Sequence, residues 1–274
     1  MSRITGAVRV AGIVGNPVAH SLSPIIHNAW IEALDMDAVY AAFAPRDADG
    51  FATLVEAGRA GLLAGVNVTA PFKEQAFALA DTASGTARIS GSANILRFRD
   101  GRVEADSTDG EGLLWALKQQ APALDLRAAP VVMLGAGGAA RAAVAALAGA
   151  GAGVRIVNRT RKRAEALAAD IGLGVEAVDG PGAFDGARLV INALTVKPEV
   201  DPGQFEPGTV VMDMTYRPVE TPFLGAAKAA GLTTVDGLAM LIGQAEPSFR
   251  ALFDAEPPAL DPRPRLLAHL GEVG

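Results

Sequence analysis

The chain contains no cysteine. Disulfides, thiolate nucleophiles and cysteine-held metals or clusters are therefore excluded. Histidine is almost as scarce: His20, His27 and His269 make up the full set of 3. They are scattered, with no HExxH-type spacing, so no metal site is expected. A basic excess is missing as well. Lys and Arg number 24 against 30 Asp and Glu, a formal charge of -6, which argues against nucleic acid or a membrane surface as partner. An anionic small molecule stays open, because a local cluster can oppose the global sign. The first ten residues carry Arg3 and Arg9 and no apolar run, so no secretory signal is read there and the cytoplasm is the expected location. The stretch 131–154 is long and apolar enough to span a bilayer. Glycines interrupt it and Arg141 sits near its middle, so a buried strand, a glycine turn and an alanine-rich helix explain it better.

What is present is an ordinary globular composition, 274 residues of which 50% are hydrophobic and 20% charged. That length suits one large or two small domains. Strand-like and helix-like segments alternate, which predicts an α/β fold with parallel sheets. In the first part, strands are expected at 9–14, 39–43 and 61–68, with helices at 23–34, 50–59 and 71–80. A hairpin, 93–97 with 102–105, should turn at Asp100-Gly101. A helix over 110–120 and a proline-bearing connection over 121–130 follow. Then come a strand at 131–134, a helix at 138–148, strands at 154–158, 189–194 and 210–214, and helices at 222–230 and 238–253.

Val131-Val132-Met133-Leu134 runs straight into Gly135-Ala136-Gly137-Gly138-Ala139-Ala140, a GxGxxA pattern between a strand and a helix. Gly135 permits the tight turn, Gly137 lets a pyrophosphate approach the backbone, and Ala140 lets the helix pack close to the sheet. Amides at the helix start then face the phosphates. The following strand ends at Asn158-Arg159-Thr160, where an enzyme specific for NAD usually carries an acid for the ribose 2′-hydroxyl. Here Arg159 and Arg163 stand instead, and arginine suits a phosphate monoester. NADP(H) is the expected cofactor. The bland alternative is a solvated basic helix start at Arg161-Lys162-Arg163, although cations are disfavoured at that end of a helix.

In Gly15-Asn16-Pro17-Val18-Ala19-His20-Ser21-Leu22-Ser23-Pro24, an extended backbone would point the Ser21 and Ser23 hydroxyls the same way, so that both could donate to one carboxylate. Ser23 is an equally good helix N-cap with Pro24 behind it. In Gly65-Val66-Asn67-Val68-Thr69-Ala70-Pro71-Phe72-Lys73-Glu74, Asn67 and Thr69 alternate onto one side. Lys73 falls in the first turn of a helix, where the macrodipole lowers a lysine pKa in the direction a general base needs. An ordinary surface lysine fits that position too. Thr108 and Glu111 have capping-box spacing, which would leave Asp109 for chemistry.

Together these segments resemble the shikimate dehydrogenase family, with its signatures GNPxxHSxSPxxHN and GxNVTxPFK. The likeness continues through Asn94, Thr108-Asp109-Gly110, the Gly135 turn, Asn158-Arg159-Thr160, Asp213-Met214-Thr215-Tyr216-Arg217-Pro218 and Gly243-Gln244-Ala245. The resemblance implies an α/β substrate domain over 1–109, a Rossmann-type NADP-binding domain over 110–237, and C-terminal helices over 238–274 returning to the first domain. It implies that Ser21 and Ser23 hold a substrate carboxylate, while Asn67, Thr69, Asn94, Asp109 and Gln244 bind ring hydroxyls. Lys73 would be the acid/base with Asp109 beside it, and Tyr216 would line the substrate pocket. Gly135, Ala136, Gly137, Gly138, Ala139, Asn158, Arg159, Thr160, Arg163, Met214 and Gly237 would hold the cofactor. The implied reaction is reversible NADP-dependent reduction of 3-dehydroshikimate to shikimate, in a monomer or homodimer with no partner beyond its small molecules. Quinate or aminoshikimate are alternative substrates, and a non-catalytic ligand sensor is an alternative of another class. The chain departs from the pattern at Ile95 (usually Thr), Ser107 (often Asn), Phe253 (often Trp) and the loop 192–197.

Overall fold

The computed structural model describes residues 4–194 and 196–272. It divides into two compact units, Met1–Thr108 with Gln244–Gly274, and Asp109–Gly243.

The first unit opens with β1 (Arg9–Val14), α1 (Ser23–Ala33), β2 (Ala38–Phe43), α2 (Ala48–Arg59) and β3 (Gly65–Val68). It continues through α3 (Lys73–Leu79), β4 (Thr82–Ala83), α4 (Gly85–Ser90), β5 (Ile95–Arg99) and β6 (Arg102–Asp106). The strands form one sheet in the order β2-β1-β3-β5-β6-β4. β1 runs parallel to β2 and β3, whereas β5 is antiparallel to β3 and β6. The Asp100-Gly101 loop has positive φ at both residues (51° and 72°), as a tight two-residue hairpin requires. Val66, Val68, Leu96 and Phe98 face Phe51, Val55 and Phe72 in one core layer. The neighbouring positions Asn67 and Ile95, paired across the ladder, must face the other way.

The second unit comprises α5 (Asp109–Gln120), β7 (Val131–Leu134), α6 (Gly138–Gly149), β8 (Val154–Val157), α7 (Arg161–Ile171) and β9 (Val175–Ala177). After these come β10 (Leu189–Asn192), β11 (Val210–Asp213), α8 (Pro222–Ala229), β12 (Thr233–Val235) and the start of α9 (Gly237–Phe253). Its sheet is wholly parallel, in the order β12-β11-β10-β7-β8-β9. This is the doubly wound dinucleotide-binding order, whose direction reverses between β7 and β10. The apolar stretch 131–154 is thus a buried strand, a turn and a helix. Among the described residues no helix is long and apolar enough to cross a membrane.

The division between the units falls inside α9, after Gly243, rather than ahead of that helix. Its second half and α10 (Arg263–Leu270) belong to the first unit. Leu252 packs where a side chain on Gly65 would stand, 2.6 Å from such a Cβ. The Trp30 indole donates to the Leu260 carbonyl (3.2 Å), and Arg9 donates to the Phe253 carbonyl (2.7 Å). Phe253, one of the departures, is buried against Phe249.

Several expectations are corrected. The 61–68 strand shortens to β3 because α2 ends in a turn in which the Leu62 amide donates to the Ala57 carbonyl and Gly61 has φ 89°. The 71–80 helix begins only at Lys73, after a turn from Thr69 to Phe72. Ser23 is not an N-cap. Helix α1 already includes it, Leu22 is the cap, and the Ser21 hydroxyl accepts from the Ser23 amide (3.3 Å).

His27, on α1, is fully buried between Tyr40 (stacked, 4.1 Å), Trp30 and Phe249. Neither ring nitrogen has a hydrogen-bond partner. Burial lowers its pKa from 6.5 to about 3. The unfolded chain takes up a proton below pH 6.5 that the folded chain refuses, so stability from this group is complete above that pH and lost on acidification toward pH 3. Between pH 7 and 5 the loss attributable to His27 is about 2 kcal/mol. Denaturant unfolding of wild type and His27→Phe at both pH values is the check. The variant keeps the ring stack without the titration, and its stability should fall less on acidification by that amount. Parallel pH dependences would refute the assignment.

Candidate active site

In the first unit, the proposed substrate residues collect where β1 and β3 end and β5 begins. The Asn16 amide donates to the Ala70 carbonyl (3.1 Å), tying the two signature loops together. Gly15 is required there, since a Cβ would stand 2.3 Å from the Thr69 methyl. The Asn16 carboxamide donates to the Pro45 and Arg46 carbonyls, which makes it an anchor for the loop carrying Ser21 and Ser23. Ser23 is buried, while Ser21 and Thr69 are half-buried. Lys73 is half-buried at the start of α3, and its carbonyl accepts from the Ala93 amide (2.9 Å), next to Asn94.

Asn67 and Asn94 are buried within a continuous polar chain. The Tyr40 phenol donates to Asn67 Oδ1 (2.7 Å) and is also hydrogen-bonded to the Ser23 side chain. Burial raises the Tyr40 pKa well above its ordinary value, against the opposing pull of Ser23, so this phenol stays a donor. Asn67 Nδ2 donates to the Asn94 carbonyl (3.2 Å) and to Ser248 Oγ (2.9 Å). Asn94 Nδ2 donates to Thr108 Oγ1 (3.0 Å) and Gln244 Oε1 (3.2 Å), and its Oδ1 accepts from the Thr108 amide (2.8 Å). The structure therefore links Ser23, Asn67, Asn94 and Gln244. It adds Tyr40, Thr108 and Ser248, which were not singled out as ligand-side residues. Thr108, expected as a helix cap, has its hydroxyl in this chain. A clue to Ser248 was available: it lies one helical turn past Gln244, on the same helix face.

In the second unit, β7 enters a turn at Gly135, whose φ is 113°. A Cβ on Gly135 would also press on Leu194, at 3.1 Å. Gly137 caps α6 without any side-chain hydrogen bond, and nothing lies within 4 Å of a Cβ built on Gly137 or Gly138. Open space over uncapped amides, with Ala136 and Ala139 alongside and Ala140 buried against the sheet, fits a pyrophosphate. The turn lies at the switch point of the sheet, where such ligands bind.

Past β8, Arg159, Thr160 and Arg163 are exposed, and the Asn158 carboxamide donates to the Thr160 carbonyl (2.8 Å). Arg161 is held by Glu165 (2.7 Å) and by Asp179. Among the described residues neither Arg159 nor Arg163 forms an ion pair. A pair of uncommitted arginines fits a 2′-phosphate and explains cations at a helix start that the macrodipole disfavours.

Asp109, the first residue of α5, is buried. Met214 and Tyr216 are half-buried on the loop after β11. That loop is pinned by buried Asp213, which accepts from Asn192 Nδ2 (3.1 Å), the Thr215 amide (2.9 Å) and the Thr221 hydroxyl (2.7 Å). Gly237 is buried against the Met214 and Thr215 carbonyls, at 2.5 and 2.6 Å from a built Cβ, so a close backbone passage accounts for this glycine. In the departing loop 192–197, Thr195 lies outside the described residues. Among the described residues no group of His, Asp and Glu is arranged to hold a metal ion.

Comparison with known proteins matches these features. The family model described as shikimate dehydrogenase substrate binding domain covers residues 13–96, and that described as shikimate / quinate 5-dehydrogenase covers residues 116–179. A shikimate dehydrogenase (NADP(+)) of Caulobacter vibrioides is 51% identical, over 98% of this chain and 99% of its own. The structure of shikimate 5-dehydrogenase from Thermus thermophilus in complex with NADP(H) and shikimate aligns with a TM-score of 0.83 at 36% identity, covering 93% of this chain and 96% of that one. Quinate dehydrogenase from Corynebacterium glutamicum in complex with NAD aligns with a TM-score of 0.87 at 28% identity, covering 95% and 99%. Its signature loops, its two sheets and its near full-length identity to curated relatives place this chain in the shikimate/quinate dehydrogenase family.

Proposed function

We propose that this protein is an NADP-dependent shikimate dehydrogenase, interconverting 3-dehydroshikimate and shikimate. The observation that carries the reading is the buried polar chain from Ser23 to Gln244, set beside Thr69 and Lys73 in a molecule that also has an open dinucleotide turn. NADP(H), when bound, supplies or takes up the hydride. Ser21 and Ser23 orient the substrate by its carboxylate, and Asn67, Thr69, Asn94 and Gln244 engage ring hydroxyls. In the reducing direction Lys73 holds a proton at the carbonyl oxygen, stabilises the charge that develops there and passes the proton on. Asp109 is assigned to the substrate hydroxyl and to the acid/base pair. Gly135, Gly137 and Gly138 leave room for the pyrophosphate, and Asn158, Arg159, Thr160 and Arg163 hold the 2′-phosphate. Met214 and Tyr216 line the nicotinamide side.

A second reading, quinate as the main substrate, draws on Ile95, which is fully buried opposite Asn67 in the ladder and presents an apolar surface beside the ring-binding groups. The test is NADPH formation by the purified protein, offered shikimate and quinate separately, with NAD as the control cofactor. Turnover on shikimate with NADP is the expected result. A clear preference for quinate would transfer the assignment to that substrate. NADPH binding without turnover on either would refute the catalytic reading in favour of a ligand sensor.

A further inference from the structure

Donor accounting around Asn67 assigns work to residues outside the proposed substrate set. The Asn94 main-chain carbonyl can only accept, so the Asn67 amide nitrogen must face it (3.2 Å). Ser248 Oγ donates its single proton to the Gln244 carbonyl one turn back (2.8 Å), leaving it as an acceptor for the second Asn67 N–H (2.9 Å). Both donors of the carboxamide are thereby used inside the protein. Tyr40 donates to Oδ1 (2.7 Å), which fills one of that oxygen's two lone pairs. The residue opposite in the ladder, Ile95, has no hydrogen-bonding side chain, so a buried N–H at this place depends on α9 for its partner.

From this geometry we infer that Ser248 and Tyr40 are positioning residues that lock the Asn67 carboxamide in one orientation, so that it offers a ligand only an acceptor and selects a ring hydroxyl as a donor. Because the ring-hydroxyl role belongs to the proposed function, the inference rests on that reading for its consequence, but not for the lock itself. Removing Ser248 would strand a buried N–H and leave the amide held by Asn94 and Tyr40 alone, so its carbonyl would be set less firmly against the substrate hydroxyl.

Two measurements test this. In steady-state kinetics with shikimate and NADP, Ser248→Ala and Tyr40→Phe should each raise the KM for shikimate by about 5–10-fold, the scale of one hydrogen bond. The value of kcat should change far less, NADPH affinity should be unaltered, and Ser248→Thr should restore the KM. Separately, with asparagine labelled in its side-chain nitrogen, the two Asn67 amide protons should both be protected from solvent exchange in the wild type, without substrate, and one should lose protection in Ser248→Ala. An unchanged KM, or a loss confined to kcat, would overturn the positioning role, as would unprotected Asn67 protons in the wild type. If the wild type does not turn over shikimate while Asn67 shows the expected protection, the lock stands and the substrate assignment is what fails.

Discussion

Replacing Lys73 with alanine is expected to lower kcat by about 10²–10⁴-fold, the usual contribution of a positioned acid/base group. Affinity for NADPH, measured by fluorescence titration, should stay as in the wild type, because the dinucleotide turn belongs to the other unit. Stability should change little. Lys73 is a half-buried residue at the start of a seven-residue helix, and the macrodipole there does not favour a cation. Its main chain is held by the bond from the Ala93 amide to its carbonyl (2.9 Å), and alanine retains that bond. A side chain serving only as solvated surface would leave kcat unaltered, and that result would remove Lys73 from the mechanism. A rise in KM with kcat intact would make it a ground-state binding group instead.

The second large effect concerns cofactor choice. Changing Arg159 and Arg163 together to alanine should reduce kcat/KM for NADP by about 10²–10⁴-fold, taking roughly 1.5–3 kcal/mol for each charge-assisted bond lost. The value with NAD, which has no 2′-phosphate, should hardly move. Arg161, two residues from each of them, supplies an internal control. Its guanidinium is already engaged by Glu165 and Asp179, so Arg161→Ala should leave the NADP/NAD ratio as it was. If Arg161→Ala altered the ratio more than the double variant did, the phosphate would have to lie on the other side of the helix start.

How far such a molecule can be read before it is folded depends on the range of the interaction. The Gly135 turn was legible because its demands are local: a positive φ, space over two glycines, and a small residue facing the sheet. The Asp100-Gly101 hairpin was legible for the same reason. An equally local rule offered Ser23 as a helix cap beside its ligand reading, since Ser-Pro usually marks one, and that alternative fails. The folded chain starts the helix sooner, with Ser21 taking the Ser23 amide. The clamp on Asn67 was out of reach, because its partners Tyr40 and Ser248 lie 27 and 181 positions away and only the fold brings them together. Short elements were lost as well. β9 and β12 span three residues each, too few for a period to register. α4 announced itself only through its Ser84 cap and the left-handed Gly91 that ends it.

The first unit is discontinuous in sequence, since Gln244–Gly274 complete a body begun by Met1–Thr108. During synthesis the order of completion therefore reverses the order of translation. The second unit has its whole sequence once Gly243 has left the ribosome, whereas the first must wait for the end of the chain to deliver Ser248, Phe249 and Leu252. Until then its sheet carries an apolar face without its cover and the Asn67 amide without one of its two acceptors, so the nascent first unit is the part of this protein left incomplete longest.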